Sequence, residues 1–90
     1  MSTVTADDGL TLGEATASPA GGAMVLNVAA DSPADDAQLT AGDIVQAVNG
    51  RAVRTLADAR RALNRVGRGR PVFLLVSREG TALFLEMRRN

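Results

Sequence analysis

The dipeptide Asn49-Gly50, set directly after the run Asp43-Ile44-Val45-Gln46-Ala47-Val48, constrains this chain more than any other feature. Asn-Gly favours the tight two-residue turn in which both central residues take positive φ, and that turn joins adjacent antiparallel strands. The middle of the chain is therefore expected as a strand over 43–48, a reversal, and a brief strand over 51–53.

Similar punctuation cuts up the rest. Gly9-Leu10-Thr11-Leu12-Gly13-Glu14-Ala15-Thr16 opens as a loop and continues as a strand, and the turn-rich stretch 17–22 leads to a strand over 23–30. Val25 and Val28 cannot share one face of a regular strand, so a bulge is expected there. Ser32-Pro33 starts a short helix, with Ser32 as cap and Pro33 in the first helical position, ended by Thr40-Ala41-Gly42. A longer helix starts at Thr55-Leu56-Ala57-Asp58, where Thr and Asp stand at capping-box spacing. Ala59, Ala62, Leu63 and Val66 make its apolar stripe, and Gly67 is expected as its left-handed stop. A buried strand over 71–77, a turn at Arg78-Glu79-Gly80 and an antiparallel strand over 81–88 complete the chain. Residues 1–8 read as a flexible leader and 9–90 as a single domain. This order predicts an α+β fold: a small, partly open β-barrel or sandwich of five to six strands with two helices.

Composition excludes much chemistry. The 90 residues include no Cys and no His, and all ten basic residues are Arg. Thiol nucleophiles, zinc-thiolate sites, imidazole ligands and a Ser-His-Asp triad are therefore absent, and no metal or cofactor is expected. None of Ser2, Ser18, Ser32 and Ser77 sits in a G-x-S-x-G setting. Charge divides by halves, −7 over residues 1–50 and +7 over 51–90. Without Tyr or Trp, and with only Phe73 and Phe84 to stack on bases, the asymmetry points to halves that face each other rather than to nucleic acid. No apolar run is long enough to span a membrane, so no direct membrane insertion is expected.

Taken in order, the pieces resemble a PDZ domain over nearly the whole chain. They are Gly9-Leu10-Thr11-Leu12, then Gly22 before a strand ending in Ala29-Ala30-Asp31-Ser32-Pro33-Ala34. Next comes Leu39-Thr40-Ala41-Gly42-Asp43 through to Asn49-Gly50, and last Leu56-Ala57-Asp58-Ala59-Arg60-Arg61-Ala62-Leu63 with Gly67. The final hairpin is similar to the bacterial arrangement, in which a C-terminal strand replaces the usual N-terminal one. The nearest likeness is to the last PDZ domain of HtrA/Do-like serine proteases. Tail-specific proteases, membrane-embedded metalloproteases and secretion-system proteins carry comparable domains.

The resemblance implies a non-catalytic module that binds C-termini or extended segments of other proteins by strand addition. Gly9, Leu10, Thr11 and Leu12 match the family's carboxylate-binding loop, whose successive N–H groups receive a terminal carboxylate. Thr11 departs from the family's frequent Gly, which narrows the loop. Gly13, Glu14 and Ala15 would continue the strand that pairs with the peptide. Leu56, Arg60 and Leu63, at i, i+4 and i+7 of the longer helix, would form the opposite wall. Leu56 stands where many members carry a hydroxyl-reading His. Leu56 has two readings, pocket wall or core staple, and Arg60 has two, groove rim or solvated charge. Gly42, Asp43, Asn49 and Gly50 are structural turn residues. An HtrA-like parent would place the domain in the periplasm or cell envelope. The alternative function is an assembly module with a partly closed groove, packing protease subunits or a neighbouring domain.

Overall fold

The computed structural model describes residues 3–5, 9–15, 21–67 and 69–88. In chain order the elements are β1 (Thr3–Thr5), β2 (Leu10–Glu14), β3 (Ala23–Val28), α1 (Pro33–Asp36), β4 (Ile44–Val48), β5 (Arg51–Ala52), α2 (Leu56–Arg65), β6 (Pro71–Arg78) and β7 (Thr81–Arg88). Every strand pairing is antiparallel, in the order β1-β2-β3-β4-β6-β7, with β5 hydrogen-bonded to β4 alone. The sheet is open, with β1 and β7 at its two ends, and the fold is a small α+β fold rather than a closed barrel. It counts seven strands among the described residues, against the expected five to six.

Local chemistry accounts for most of these elements. Asn49 and Gly50 both take positive φ, 49° and 81°, as the tight turn requires. Asn49 also pins that turn to β6: its N–H donates to the Phe73 carbonyl at 2.8 Å, and its Oδ1 accepts from the Phe73 N–H at 2.7 Å. Ser32 caps α1 and accepts from the Asp35 N–H at 3.2 Å, with Pro33 in the first turn. Thr55 caps α2 and accepts from the Asp58 N–H at 3.1 Å, while Asp58 accepts from the Arg54 N–H at 3.1 Å. The expected bulge is present in β3. Thr11 faces Asn27 and Leu12 faces Val25, so Leu26 is the extra residue.

Two expectations are corrected. Part of the expected leader 1–8 belongs to the sheet, because Thr3–Thr5 pairs with β2; residues 1, 2 and 6–8 lie outside the described residues, as do 17–20 of the expected turn 17–22. Gly67 is not a left-handed stop: α2 ends when Val66, half-buried against the core, takes extended backbone at φ −82° and ψ 117°. The pull of core packing on a β-branched residue ends the helix without glycine's help.

The core lies between one face of the sheet and α2. Leu10, Leu12, Val25, Val45, Val48, Val72, Leu74, Val76 and Met87 are fully buried, joined by Leu56, Ala59, Ala62 and Leu63 from the helix. Alternation in β6 places Val72, Leu74 and Val76 inward and leaves Phe73 outward. Asp43 is the one buried charged residue among the described residues, 2% exposed, and it receives Arg78 in a two-pronged pair, Nε to Oδ1 at 2.8 Å and Nη2 to Oδ2 at 2.7 Å. The Thr40 N–H adds a third bond at 3.0 Å. This pair joins the acidic half of the chain to the basic half. No helix among the described residues is long and apolar enough to cross a membrane.

Candidate functional site

The fold brings the two expected walls together: β2 and α2 are neighbours across the sheet face. The loop before β2 is anchored from below. Gly9 takes φ +86°, and its carbonyl accepts from the Ala29 N–H at 2.8 Å. A Cβ at Gly9 would lie 2.4 Å from both Cβ and Oγ of Ser32, so the α1 cap requires glycine here. From this anchor Leu10 and Leu12 point into the core at 0% and 1% exposure, while Thr11 between them is half-buried.

The rest of β2 is tied to α2. Glu14 is exposed at the strand end, and its Oε1 accepts from the Leu56 N–H at 2.9 Å. That bond satisfies one of the unpaired donors of the first helical turn and fixes the distance between the walls at this end. Gly13 is buried under Leu26, whose Cδ1 would lie 2.8 Å from a Cβ at position 13. Ala15 is buried, and its N–H donates to the Gly22 carbonyl at 3.4 Å.

On α2, Leu56 and Leu63 are both buried, at 4% and 3% exposure, and Arg60 between them is exposed. Leu56 thus belongs to the hydrophobic core while lying on the face toward β2. The opposite face of the helix borders a cavity of about 350 Å³, lined by Arg51, Arg65 and Arg70 over Val48, Ala62 and Val66. At about 100° per residue this cavity lies across the helix from Leu56, Arg60 and Leu63, so it is no part of the groove. Arg68 lies outside the described residues.

The edge of β2 expected to be open carries a strand already. Thr3 stands opposite Gly13, Val4 opposite Leu12 and Thr5 opposite Thr11, and β1 also adjoins α2. The signal for it is in the sequence, since Thr3-Val4-Thr5 are three consecutive β-branched residues. The Glu14–Leu56 bond and the Asp43–Arg78 pair carry no comparable signal, because each joins residues far apart in the chain.

Among the described residues no group of His, Cys, Asp and Glu side chains could hold a metal ion. The chain is similar in structure to the HtrA-type protease AlgW, solved with a decapeptide, at TM-score 0.75 and 23% identity, covering 90% of this chain and 27% of that one. It therefore spans about a quarter of that protein's length. No curated protein sequence matches it significantly. A family model described as PDZ domain matches residues 3–88. The chain belongs to the PDZ domain family, whose members are non-catalytic peptide-binding modules.

Proposed function

We propose that this domain recognises extended apolar segments or C-termini of other proteins, taken as an added strand on the β2 edge with α2 as the second wall. What supports the reading is that this edge is competent for strand addition, since it already pairs antiparallel with Thr3–Thr5 beside α2. The decapeptide solved with AlgW fits the same kind of role. On this reading the domain serves a periplasmic or envelope HtrA-like protease as its substrate-recognition or regulatory part. Gly9, Leu10, Thr11 and Leu12 receive the ligand's carboxylate. Gly13, Glu14 and Ala15 continue the pairing strand, and Leu56, Arg60 and Leu63 form the helical wall.

The test is titration of the isotope-labelled chain with unlabelled hydrophobic C-terminal peptides, followed by amide chemical shifts. Saturable shifts concentrated at residues 10–15, 56–63 and the paired strand Thr3–Thr5 are expected. Shifts clustered elsewhere, or none with any peptide, would sink the proposal.

A second role, docking on a neighbouring domain or protease subunit, has its own observation. Phe73 and Phe84 are 53% and 83% exposed on the outer face of the β6–β7 hairpin. Their partners across the ladder are Glu86 and Leu75, which makes the two rings diagonal neighbours. Exposed aromatics side by side are the usual anchors of a protein interface. Phe73→Ser with Phe84→Ser should abolish docking while leaving peptide titration unchanged; docking that survives both changes counts against this role.

A further inference from the structure

We infer that Thr3–Thr5 is the resident ligand of the groove, so that a peptide binds by displacing the chain's own N-terminal strand. This deepens the peptide-binding reading and rests on it. A ligand whose C-terminus lies at the Gly9-to-Leu12 loop and whose body runs beside residues 12–15 must run antiparallel to β2. β1 does this in the same sense: Thr3 lies opposite Gly13, Thr5 opposite Thr11, and the chain runs toward the loop.

Burial supplies the second observation. The four leucines expected to line the ligand pocket, Leu10, Leu12, Leu56 and Leu63, are 0%, 1%, 4% and 3% exposed. These residues belong to the core, and β1 adjoins α2 as well as β2, so it lies between the two expected walls. The Glu14–Leu56 bond ties the two walls together at the end of β2 away from the Gly9 loop.

The resident strand also has a built-in handicap. Its chain continues past Thr5 through residues 6–8 into Gly9, so it brings no terminal carboxylate to the loop. A peptide ending in a free carboxylate adds charge-assisted bonds that β1 cannot form, and this gives displacement its selectivity. An apparent affinity is lowered by the fraction of molecules in the open state. An open population of about 1–10% weakens binding about 10- to 100-fold.

The experiment uses the full chain and two variants. In Val4→Pro with Thr5→Pro, successive N–H groups of a strand point to opposite sides, so one proline necessarily removes a ladder donor toward β2. In Thr5→Cys with Thr11→Cys, directly opposed residues fall within disulfide reach. The native chain has no Cys, so only one intramolecular disulfide can form. The probe is a fluorescent pentapeptide Met-Ser-Thr-Val-Thr with a free C-terminus, this chain's own residues 1–5, with its amide as control.

The proline variant should bind the probe about 10- to 100-fold tighter than the native chain. The cysteine variant should lose binding when oxidised and regain it on reduction. Amide exchange at residues 11–13 should be slow in the native chain and faster in the proline variant, whether or not any peptide binds. Equal affinity in native and proline chains, or exchange at 11–13 unchanged by proline, overturns the inference while leaving peptide binding intact. Faster exchange with no binding of any peptide to the proline variant instead removes the peptide-binding reading and the resident-ligand inference with it. The oxidised cysteine chain keeps the test open if the proline variant fails to fold; undiminished binding in that form also overturns the inference.

Discussion

Replacing Gly9 by Ala tests how the loop before β2 is anchored. The first cost is backbone strain: at φ +86° an alanine sits in a region that costs L-residues about 1–2 kcal/mol. The second is steric. The new Cβ would lie 2.4 Å from both Cβ and Oγ of Ser32, with the Ala29 Cβ at 3.1 Å, so Ser32 must move. Ser32 cannot move freely, because its hydroxyl donates to the Ala29 carbonyl at 2.6 Å and accepts from the Asp35 N–H at 3.2 Å. Losing that cap costs about 0.5–2 kcal/mol. Together the two terms give about 1.5–4 kcal/mol, readable as a fall of about 1–2 M in the urea midpoint. The control is the same substitution in a Ser32→Gly background, where the clash is gone and the strain of about 1–2 kcal/mol should remain. A Gly9→Ala chain within about 0.5 kcal/mol of the native one would refute the anchoring. So would a cost unchanged by Ser32→Gly, which would leave the steric part without support.

Arg78→Met leaves the buried Asp43 carboxylate with only the Thr40 N–H, and urea unfolding at pH 7 should show a clear loss of stability, smaller than for a fully buried pair because the Arg78 side chain is 36% exposed. Its pH dependence has a definite sign. Burial pushes the Asp43 pKa up, but the Arg78 bonds, the Thr40 N–H and the Arg78 charge together outweigh it, and the net pKa lies below the ordinary value. The stability so gained is full above the unfolded-state pKa and is lost as pH falls through the lower folded-state value. In Arg78→Met, burial acts with less opposition and acid destabilisation should begin at a higher pH than in the native chain. Asn49→Ala removes the acceptor of the Phe73 N–H and places alanine at φ 49°, and thermal or urea unfolding should register a loss of about 2–3 kcal/mol. Leu56→His buries an imidazole in a site 4% exposed, so unfolding should show a loss of about 1–3 kcal/mol.

What the sequence made legible follows from the range of the forces involved. Ser32-Pro33, Thr55 and Asn49-Gly50 act within four residues, and the structure uses each as its chemistry predicts, while the Asp58 carboxylate reaches back to the Arg54 N–H, one residue before the cap. The β3 bulge was legible because Val25 and Val28 break the period of two, and Leu26 absorbs the mismatch. Val66 was not, since its extended backbone answers to the core rather than to neighbours in sequence. Asp43 reads locally as a turn residue, and only the pairing of β4 with β6 brings Arg78 against it. β1 lies between these cases. Its three β-branched residues favour a strand, but a lone three-residue strand has no stability, and what makes it one is the free edge of β2.

The magnitude required of that edge is small. An open population of about 1–10% corresponds to about 1.4–2.7 kcal/mol in favour of the closed state, a factor of ten for each 1.4 kcal/mol. Fully burying one leucine side chain is worth about 1.5–3 kcal/mol. β1 therefore needs to shield only one leucine's worth of surface out of Leu10, Leu12, Leu56 and Leu63 to hold the groove closed, with the ladder to Thr11, Leu12 and Gly13 adding to it. Complete exposure of all four leucines would cost several times more and would leave almost no open state to select. The route that fits both limits is exchange at the edge. The incoming strand takes over the β2 ladder as Thr3–Thr5 leaves, and the leucines stay covered throughout. Observed association rates should then rise with peptide concentration without a plateau set by prior opening, and a plateau at a rate common to different peptides would argue for opening first.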